Sequence, residues 1–418
     1  MKLFIDTAPL RHAAYRRLWI GQVVSFTGAQ VTAVAVPVQV YAMTRSSFWV
    51  GVLGVAGFVP LLVFGLWGGA IADHFDRRRV LLISSLVSWA VTLLLLLQAL
   101  LGLDSLALLI VCVVVQSGAF AMASPSRNAI IPRLLPDEDI APAMALGSTG
   151  MHSSILLGPL LAAAALTADR YWIAYLIDAV LFTVVLWAAL RLPAVPPLTT
   201  ADAKISGWRS VKDGLRYMSS QPVLLMSFVV DIIAMTVAMP RALFPEVADT
   251  HFGGSSATGL LVAALGLGGL AGGLVSGWIG RVDRQGAALI LMVAVFGAAV
   301  AAAGLTRSLW PCVLLLGVAG AADMISGVFR QAILATYAPD EMRGRLQGVF
   351  VVVVAGGPRI GDLRAGAMAA SLGASASWIL GGIGCVVLVV AAGLAFPALL
   401  RYRVSASDTG KRSLEQVT

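Results

Sequence analysis

Residues 124–138 read SPSRNAIIPRLLPDE, and residues 327–341 read GVFRQAILATYAPDE. The two stretches share an Arg, an Ala-Ile pair and a Pro-Asp-Glu, and each of these recurs 203 positions later. Such a match is hard to obtain by chance in a sequence of mainly small apolar residues. It predicts that the chain contains two related halves.

Two further matches extend the repeat in the same order. Gly158-Pro159 recurs as Gly357-Pro358, 199 positions later, and Gly69 recurs as Gly277, 208 positions later. Because three ordered matches keep a nearly constant offset, we predict two bundles in parallel repeat. A duplication of this kind places a substrate site between the halves near the middle of the membrane, with access that alternates as the halves rock.

The composition is that of a helical membrane protein. Of the 418 residues, 59% are hydrophobic and 12% are charged, whereas soluble domains carry about 25% charged residues. The 43 glycines are typical of helices that pack closely in lipid. The net charge is +8, but no basic stretch with interleaved aromatic residues favours nucleic-acid binding. We therefore predict an all-α integral membrane protein.

Apolar runs long enough to cross a bilayer, about 20 residues each, divide the chain into four regions. We predict a six-helix bundle over 1–190, a cytoplasmic linker over 191–221, a second six-helix bundle over 222–400 and a cytoplasmic tail over 401–418. The linker contains an amphipathic stretch that predicts a helix on the inner leaflet. The predicted spans are 18–42, 48–72, 80–101, 105–127, 140–166, 171–190, 222–244, 255–280, 286–304, 309–335, 346–371 and 376–400.

Lys and Arg lie mainly on one side of these spans. That side holds the basic residues before the first span, the run 77–79, the linker and the tail. The other side holds Arg45, Arg170 and Arg307, with Arg241 if its span ends before it. By the positive-inside rule, both termini are expected in the cytoplasm.

Residues 69–79, GAIADHFDRRR, resemble the loop between the second and third helices of the major facilitator superfamily, G-x-L-x-D-R-x-G-R-R. Gly69, Asp73, Arg77 and Arg78 match that pattern. The resemblance implies the major facilitator fold, with twelve transmembrane helices in two six-helix bundles. It also implies that these four residues latch the halves together at the cytoplasmic face. The alternative is that the basic run only obeys the positive-inside rule.

The sequence further resembles the enterobactin-exporter-like and macrolide-efflux-like branch of that superfamily. The similar stretches are SPSRNAIIPRLLPDED at 124–139, MPRALFPEVAD at 239–249, PDEMRGRLQGV at 339–349 and GGPRIGD at 356–362. Gly158 and Pro159 in the fifth span resemble the GP motif of antiporters. The resemblance implies a monomeric exporter in the inner membrane of a bacterium. Its cargo would be a siderophore or an amphiphilic drug, and the proton gradient would drive it.

Asp231 is the ionisable residue that we expect to carry protons. It lies about nine residues into the seventh span, or ~14 Å at 1.5 Å per residue. The resemblance implies that this helix lines the central cavity. A carboxylate at that depth can bind and release protons, and a charge inside a span is a candidate functional group by default. The alternative is a fixed ion pair with an Arg of a neighbouring helix, such as Arg359.

Five other ionisable residues lie within the spans. Asp323 and Asp178 are further candidates for proton coupling, although Asp178 could instead bond helices together. Arg330 is two turns from Asp323, too far to pair with it, and bonds to helix ends or lipid phosphates are the structural alternative for it. Arg359 and Asp362 are three positions apart and can pair within one helix. Together with Arg330 they form a candidate charge network of the central cavity.

Polar residues of the first span, Gln22, Ser25 and Gln30, are candidate contacts to substrate or hydrogen bonds between helices. The cysteines and histidines have no metal-ligand spacing, and no phosphate-binding Gly loop with Lys and Ser or Thr is present. We therefore expect a transporter without metal or cofactor, not an enzyme, whose partners are a small molecule, protons and membrane lipid. The alternatives are a lipid flippase or importer of the same fold and a non-transporting membrane receptor, which the short loops disfavour.

Overall fold

The computed structural model of the chain describes residues 6–167, 170–193, 195 and 207–403. In residues 66–74, 207–211, 280, 340, 341, 343, 344 and 351 it describes the backbone alone. Over these described residues the regular structure is helical, without strands. A helix bonds its own backbone groups within one segment, which is what a bilayer without water requires.

The helices are numbered in chain order. The first half forms α1 (Ala13–Thr44), α2 (Ser47–His74), α3 (Arg77–Leu101), α4 (Leu106–Leu134), α5 (Asp137–Ala165) and α6 (Tyr171–Leu190). The linker forms α7 (Gly207–Ser219). The second half forms α8 (Pro222–Ile233), α9 (Phe244–His251), α10 (Ser256–Leu274), α11 (Gln285–Leu305), α12 (Leu309–Tyr337), α13 (Asp340–Leu372), α14 (Ala374–Ala395) and α15 (Pro397–Leu400).

The predicted twelve-helix membrane fold is confirmed. Among the described residues, 11 helical segments are long and apolar enough to span a bilayer, with α8 and α9 taken together as Pro222–His251. The remaining predicted span, 140–166, is the 29-residue helix α5. Three acidic residues in its first turn and a polar middle make α5 less apolar than the others. One boundary differs from expectation, because α2 continues to His74 and no loop begins at Gly69.

The chain packs into two compact units. One unit comprises Met1–Gly207 together with Arg241–Ala263, and the other comprises Trp208–Pro240 together with Ala264–Thr418. The seventh span is therefore shared, since α8 belongs to the second unit and α9 to the first. The domain boundaries predicted at 190, 221 and 400 stay a prediction.

In the first unit, α1 packs closely against α5 and α6. Gly28 allows its contact with α6, because a Cβ there would lie 3.1 Å from Asp178 Cα and 3.3 Å from Leu181 Cβ. Gly158 allows the contact between α5 and α1, because a Cβ there would lie 3.0 Å from the Thr27 carbonyl oxygen. Small residues serve this purpose in membrane bundles by letting helix backbones approach.

The segment Arg241–Ala263 packs with helices of the first unit. Arg45 ends α1 in the left-handed conformation, with φ of 52°, and its Nη1 donates to Asp249 Oδ2 at 2.6 Å. Gly259 at the start of α10 lies against α5, where a Cβ would be 2.5 Å from the Pro159 carbonyl oxygen. The GP motif of α5 therefore contacts both α1 and α10.

The linker helix α7 packs on the second unit. Tyr217 donates its hydroxyl hydrogen to the Tyr337 carbonyl oxygen at 2.9 Å, and Arg345 pairs with Asp213 at 3.2 Å. Gly214 lies against α13, where a Cβ would be 3.0 Å from the Arg345 carbonyl oxygen. These contacts attach α7 to the end of α12 and the start of α13. Its contact with the inner leaflet stays a prediction.

Also in the second unit, α10 and α12 meet backbone to backbone. A Cβ on Gly268 would collide with the Gly317 carbonyl oxygen, and a Cβ on Gly320 would collide with that of Leu265. The neighbouring Gly269 has more room, since its Cβ would lie 3.7 Å from the Gly320 carbonyl oxygen. The close approach of these two helices therefore depends on particular glycines.

We predict that Gly268→Ala lowers the thermal stability of the purified protein, because the new Cβ has no room against α12. Overpacking of this kind costs roughly 1–3 kcal/mol, and we expect a lower apparent Tm in detergent. Gly269→Ala is the matched control on the same helix. It should leave the Tm unchanged or slightly raised, because Ala favours helix over Gly. Equal Tm values for the two variants would contradict this packing.

Candidate functional site

The seventh span is broken in its middle. The α-helix α8 ends at Ile233 and continues as a π-helical turn, Ala234–Ala238. Met239 is then extended, with φ of −65° and ψ of 116°, as expected for a residue before a proline. Pro240 also lacks the N–H that would continue the helix. Single π turns within membrane helices are frequent at functional sites, which makes this break the first feature of the candidate site.

Helix α13 supports the π turn at close range. A Cβ on Gly357 would lie 2.9 Å from Met235 Cβ, and one on Gly361 would collide with the Met235 carbonyl oxygen. Arg364 then donates from Nε to the Thr236 carbonyl oxygen at 3.1 Å. The Arg364 side chain thus donates a hydrogen bond to a carbonyl oxygen of the irregular turn. A break inside a membrane span requires such a donor, because no water is present to bond the freed carbonyl.

Asp231 lies on α8 immediately before this turn, paired with Arg330 of α12. Nη1 of Arg330 contacts Oδ1 of Asp231, and the two side chains are only 5% and 4% exposed. The sequence suggested Arg359 as the partner if Asp231 were paired, and the structure places Arg330 there instead. Arg330 is accordingly a buried partner of Asp231 in this structure, and not a group at a helix end.

Aromatic rings surround the ion pair. The Arg330 guanidinium carbon lies 5.7 Å from the centre of the Phe350 ring, and Phe350 meets Phe228 edge to face at 6.1 Å. This packing keeps water from the charges, so that each charge depends on the other for its stabilisation. Protonation of the carboxylate would remove that dependence and free the guanidinium for another acceptor.

Helix α13 carries a second charged pair. Arg359 and Asp362 do pair within α13, at 3.8 Å, with the Arg side chain 48% exposed and the Asp side chain 7% exposed. Asp323 is half-buried on α12, two turns from Arg330. The structure therefore brings Arg330 to Asp231, and Arg359 to Asp362, as two separate pairs. The proposed roles of these residues in coupling and in the cavity network stay predictions.

Asp178 is fully buried between three helices of the first unit. Its Oδ2 accepts hydrogen bonds from Thr32 Oγ1 of α1 at 2.6 Å and from Thr92 Oγ1 of α3 at 3.2 Å. This is the helix-bonding arrangement that the sequence left as the alternative for Asp178. Its Oδ1 is buried and has no hydrogen-bond partner among the described residues.

The polar residues of the first span divide between two places. Gln22 and Ser25 line a cavity within the first unit, and Ser25 donates to the Gln22 carbonyl oxygen at 3.2 Å. Gln30 instead packs against Gly158 of the GP motif. Substrate contact by any of the three stays a prediction.

The matched residues of the signature loop hold the end of the first unit together. Arg78 donates from Nη2 to the Leu190 carbonyl oxygen at 2.7 Å, and so caps the end of α6. Arg77 donates from Nη1 to the Ala129 carbonyl oxygen of α4 at 3.2 Å. The side chain of Asp73 and the surroundings of Gly69 lie outside the described part of the chain. Their latch role stays a prediction.

Two polar groupings were not predicted from the sequence. Tyr175 donates to Gln39 Oε1 at 2.6 Å, and Gln39 exchanges hydrogen bonds with Gln98 at 3.0 and 3.2 Å, all within the first unit. The bond from Arg364 to the π turn is the other grouping. A signal for both was present, because each residue is a polar side chain inside an apolar run, where it must find a partner.

Two bundles built from a repeated set of membrane helices define the class of this protein as a transporter of the major facilitator type. The chain belongs to the transmembrane secretion effector family of that superfamily, whose family model matches residues 5–414. The match covers both halves, and so the family resemblance seen in the sequence is confirmed. The protein is accordingly a multi-pass membrane protein of a family of transporters.

Known enterobactin exporters are similar along their whole length. Enterobactin exporter EntS of Escherichia coli O1:K1 is 28% identical over 411 residues, which cover 95% of this chain and 96% of that one. EntS of Citrobacter koseri is 28% identical over 400 residues, which cover 94% of each chain.

Solved transporter structures share the fold. A bacterial homologue of the human lysosomal transporter Spinster, in an inward-facing and unoccupied conformation, has a TM-score of 0.75 at 16% identity and covers 96% of this chain and 100% of its own. A D-xylose-proton symporter has a TM-score of 0.69 at 14% identity and covers 92% of this chain and 97% of its own. At such identities the similarity establishes the fold alone.

We predict that Arg330→Met destabilises the protein strongly, because it leaves the Asp231 carboxylate buried without its cation. Breaking a buried pair in this way costs about 3–5 kcal/mol, to be measured as a loss of apparent Tm in detergent. The double variant Asp231→Asn/Arg330→Met should recover much of that loss, since no uncompensated charge remains.

The control for this cycle is Arg345→Met, which breaks a pair with Asp213 whose side chains are 45% and 51% exposed. Exposed pairs contribute at most about 1 kcal/mol, so its Tm should fall much less than that of Arg330→Met. Additive losses for Asp231→Asn and Arg330→Met would show that the two side chains do not act as a pair.

Proposed function

We propose that this protein exports a siderophore or a comparable amphiphilic molecule across the inner membrane of a bacterium by proton antiport with alternating access. The observation that carries the proposal is its similarity to enterobactin exporters, 28% identity over 95% of the chain. Because the match includes both bundles and the linker, it favours the same transport cycle in this protein and in the enterobactin exporters, and not only the same fold.

The ion pair in the second unit supports the proton coupling. With Asp231 ionised, Arg330 is held by the carboxylate and is not available to another acceptor. The other carboxylate oxygen, Asp231 Oδ2, has no hydrogen-bond partner among the described residues, so the ionised carboxylate can accept a hydrogen bond from a hydroxyl group of the cargo. A proton on Asp231 removes that acceptor. Proton and cargo would then exclude one another at one carboxylate, and this exclusion is what antiport needs.

The broken seventh span supports a conformational change at the same place. The π turn and Pro240 interrupt the seventh span shortly after Asp231. Few regular helical hydrogen bonds would therefore be lost if α8 and the segment after Pro240 moved relative to each other. Discontinuous helices serve in this way at the binding sites of other transporter folds. A change at Asp231 would therefore act on the segment that joins the two units.

The bias of Lys and Arg supports the proposed orientation. The run Arg77–Arg79, the linker and the C-terminal basic residues would face the cytoplasm, together with both termini. Export would then carry the cargo from that face to the opposite one.

To test this function, we propose transport into everted membrane vesicles that contain the full chain, with enterobactin and a fluorescent amphiphilic dye as probes. We expect accumulation of at least one probe when the vesicles are energised, and its loss on addition of an uncoupler. Vesicles without the protein provide the background. Accumulation that does not change on addition of the uncoupler would contradict proton coupling. If neither probe accumulates, the proposed class of cargo is wrong.

We further predict that Asp231→Asn abolishes active efflux in that assay while expression stays intact. Asn keeps an oxygen that accepts from Arg330 but cannot exchange a proton, so proton and cargo would no longer exclude one another. The amount of protein in the membrane is measured beside efflux, with Arg345→Met as the control for a missing charge outside the candidate site. Wild-type efflux by Asp231→Asn protein would exclude Asp231 from the mechanism.

A further inference from the structure

The first unit contains a partly open cavity, which we call the serine cavity. It is lined at its polar side by hydroxyls of α1 and α3, and by Gln22 and Arg127. The hydroxyls belong to Ser25, Ser84, Ser85 and Ser88. The cavity lies toward the end of the bundle that carries Arg77–Arg79, since its lining residues on α1 and α3 are in the first half of each helix.

The volume of the serine cavity decides what it can hold. It measures about 60 Å³, and one water requires roughly 10–15 Å³. Several waters therefore fit. Buried water is retained where it has two to four polar partners, and the hydroxyls, the Gln22 amide and the Arg127 guanidinium provide them.

The serines need such water. Ser84, Ser85 and Ser88 are 5%, 5% and 6% exposed, and none of their hydroxyls bonds to another described residue. Buried polar groups without a protein partner are normally satisfied by ordered water. The serine cavity is therefore best filled by a small cluster of waters that reaches along α3.

The line of hydroxyls on α3 leads to Asp178. Ser84, Ser88 and Thr92 are spaced four residues apart, on one face of the helix and over about 12 Å. Thr92 has one hydroxyl hydrogen but two acceptors at 3.2 Å, the Ser88 carbonyl oxygen and Asp178 Oδ2. Ser88 lines the cavity, whereas Thr92 is 0% exposed and lies one helical turn beyond the lining. A water that moves one turn inward past Ser88 would reach the Thr92 hydroxyl, which already donates to the Asp178 carboxylate.

Asp178 itself is suited to gaining and losing a proton. It is 0% exposed, and no described cation pairs with it. A carboxylate in such a place is costly, and its two threonine donors offset that cost only in part. Its Oδ1 accepts no hydrogen bond and faces Gly28, so the donors stabilise only one of the two oxygens of the ionised group.

Charges near this path are few. Helices α1, α3 and α5 pack against α6, and their acidic and basic residues are confined to their first turns. Other ionisable groups of this part of the unit include the buried Tyr175 on α6, His152 on α5, which is exposed, and Arg127 on α4 at the cavity. Arg127 at the entrance disfavours the passage of metal cations, while water and hydroxyl groups still relay protons.

We infer that the first unit contains a proton site of its own, Asp178, which exchanges protons with one membrane face through the water of the serine cavity and the Thr92 hydroxyl. A cavity water moves inward past Ser88 and gives its proton to Thr92 Oγ1, whose own hydrogen moves to Asp178 Oδ2, and the reverse path releases the proton. The inference rests on the proposed function in so far as protons drive export. It adds a second acidic group, in the other bundle from the pair of Asp231 and Arg330.

The test is infrared difference spectroscopy of the full chain in liposomes at two pH values, with no substrate added. We expect a carboxylic-acid C=O band that is present at low pH and lost at high pH. The band should be absent from Asp178→Asn protein and retained in Asp231→Asn protein. A band that Asp178→Asn leaves unchanged, or a band of Asp178 that persists at every pH, would overturn the inference.

The path is tested separately by the rate at which that band responds to a pH jump. Ser84→Ala/Ser88→Ala protein, and Thr92→Val protein, should respond severalfold more slowly than wild type. Ser377→Ala is the control, since Ser377 is equally buried but bonds to the Ala365 carbonyl oxygen of its own bundle, and it should respond as wild type does. Wild-type rates in both path variants would contradict the route.

The two proposals can fail independently. The infrared spectra need no cargo. They therefore decide the assignment of Asp178 even if neither probe is exported. Conversely, efflux that remains proton-driven in Asp178→Asn protein, together with an unchanged band, would place the coupling elsewhere and leave the export function intact. If Asp178→Asn protein does not fold, the Thr92→Val rate still decides the route.

Discussion

The interior of a membrane bundle offers a charged side chain no water, and so each charge there must find its compensation within the protein. Asp231 and Arg330 satisfy this requirement for each other, at 4% and 5% exposure. Either side chain alone would be an uncompensated buried charge. The pair therefore ties α8 to α12, and it is also a place where one proton changes the balance of forces.

The backbone near this pair follows the same constraint. A π turn and a proline interrupt the seventh span, and an interrupted span exposes carbonyl groups that a straight helix would bond. Gly357 and Gly361 of α13 let that helix pack closely against the turn, and Arg364 of α13 donates to the Thr236 carbonyl oxygen at 3.1 Å. The irregular segment is thus stabilised by its neighbour and not by its own hydrogen bonds.

The two bundles solve the problem of buried charge differently. Arg127 and Arg330 occupy matching positions in the repeat, but Arg330 pairs with a carboxylate, whereas Arg127 lies 5.8 Å from the Phe120 ring and lines the serine cavity. The same offset of 203 maps Asp231 onto Gly28. The space beside Gly28 is filled by Asp178 from another helix. Among the described residues, the buried carboxylate Asp178 thus has hydroxyl donors, whereas the buried carboxylate Asp231 has an arginine partner.

The sequence by itself determined the class, the number of long helices and the internal repeat, because apolar length and small-residue spacing are local properties of the chain. It also identified Asp178, Asp231 and Arg330 as charges inside the membrane. The tertiary structure decided which of them meet. The partner of Asp231, the hydroxyls around Asp178 and the π turn after Ile233 all depend on contacts between helices distant in sequence, where depth and rotation about the helix axis decide a contact that residue spacing alone does not encode.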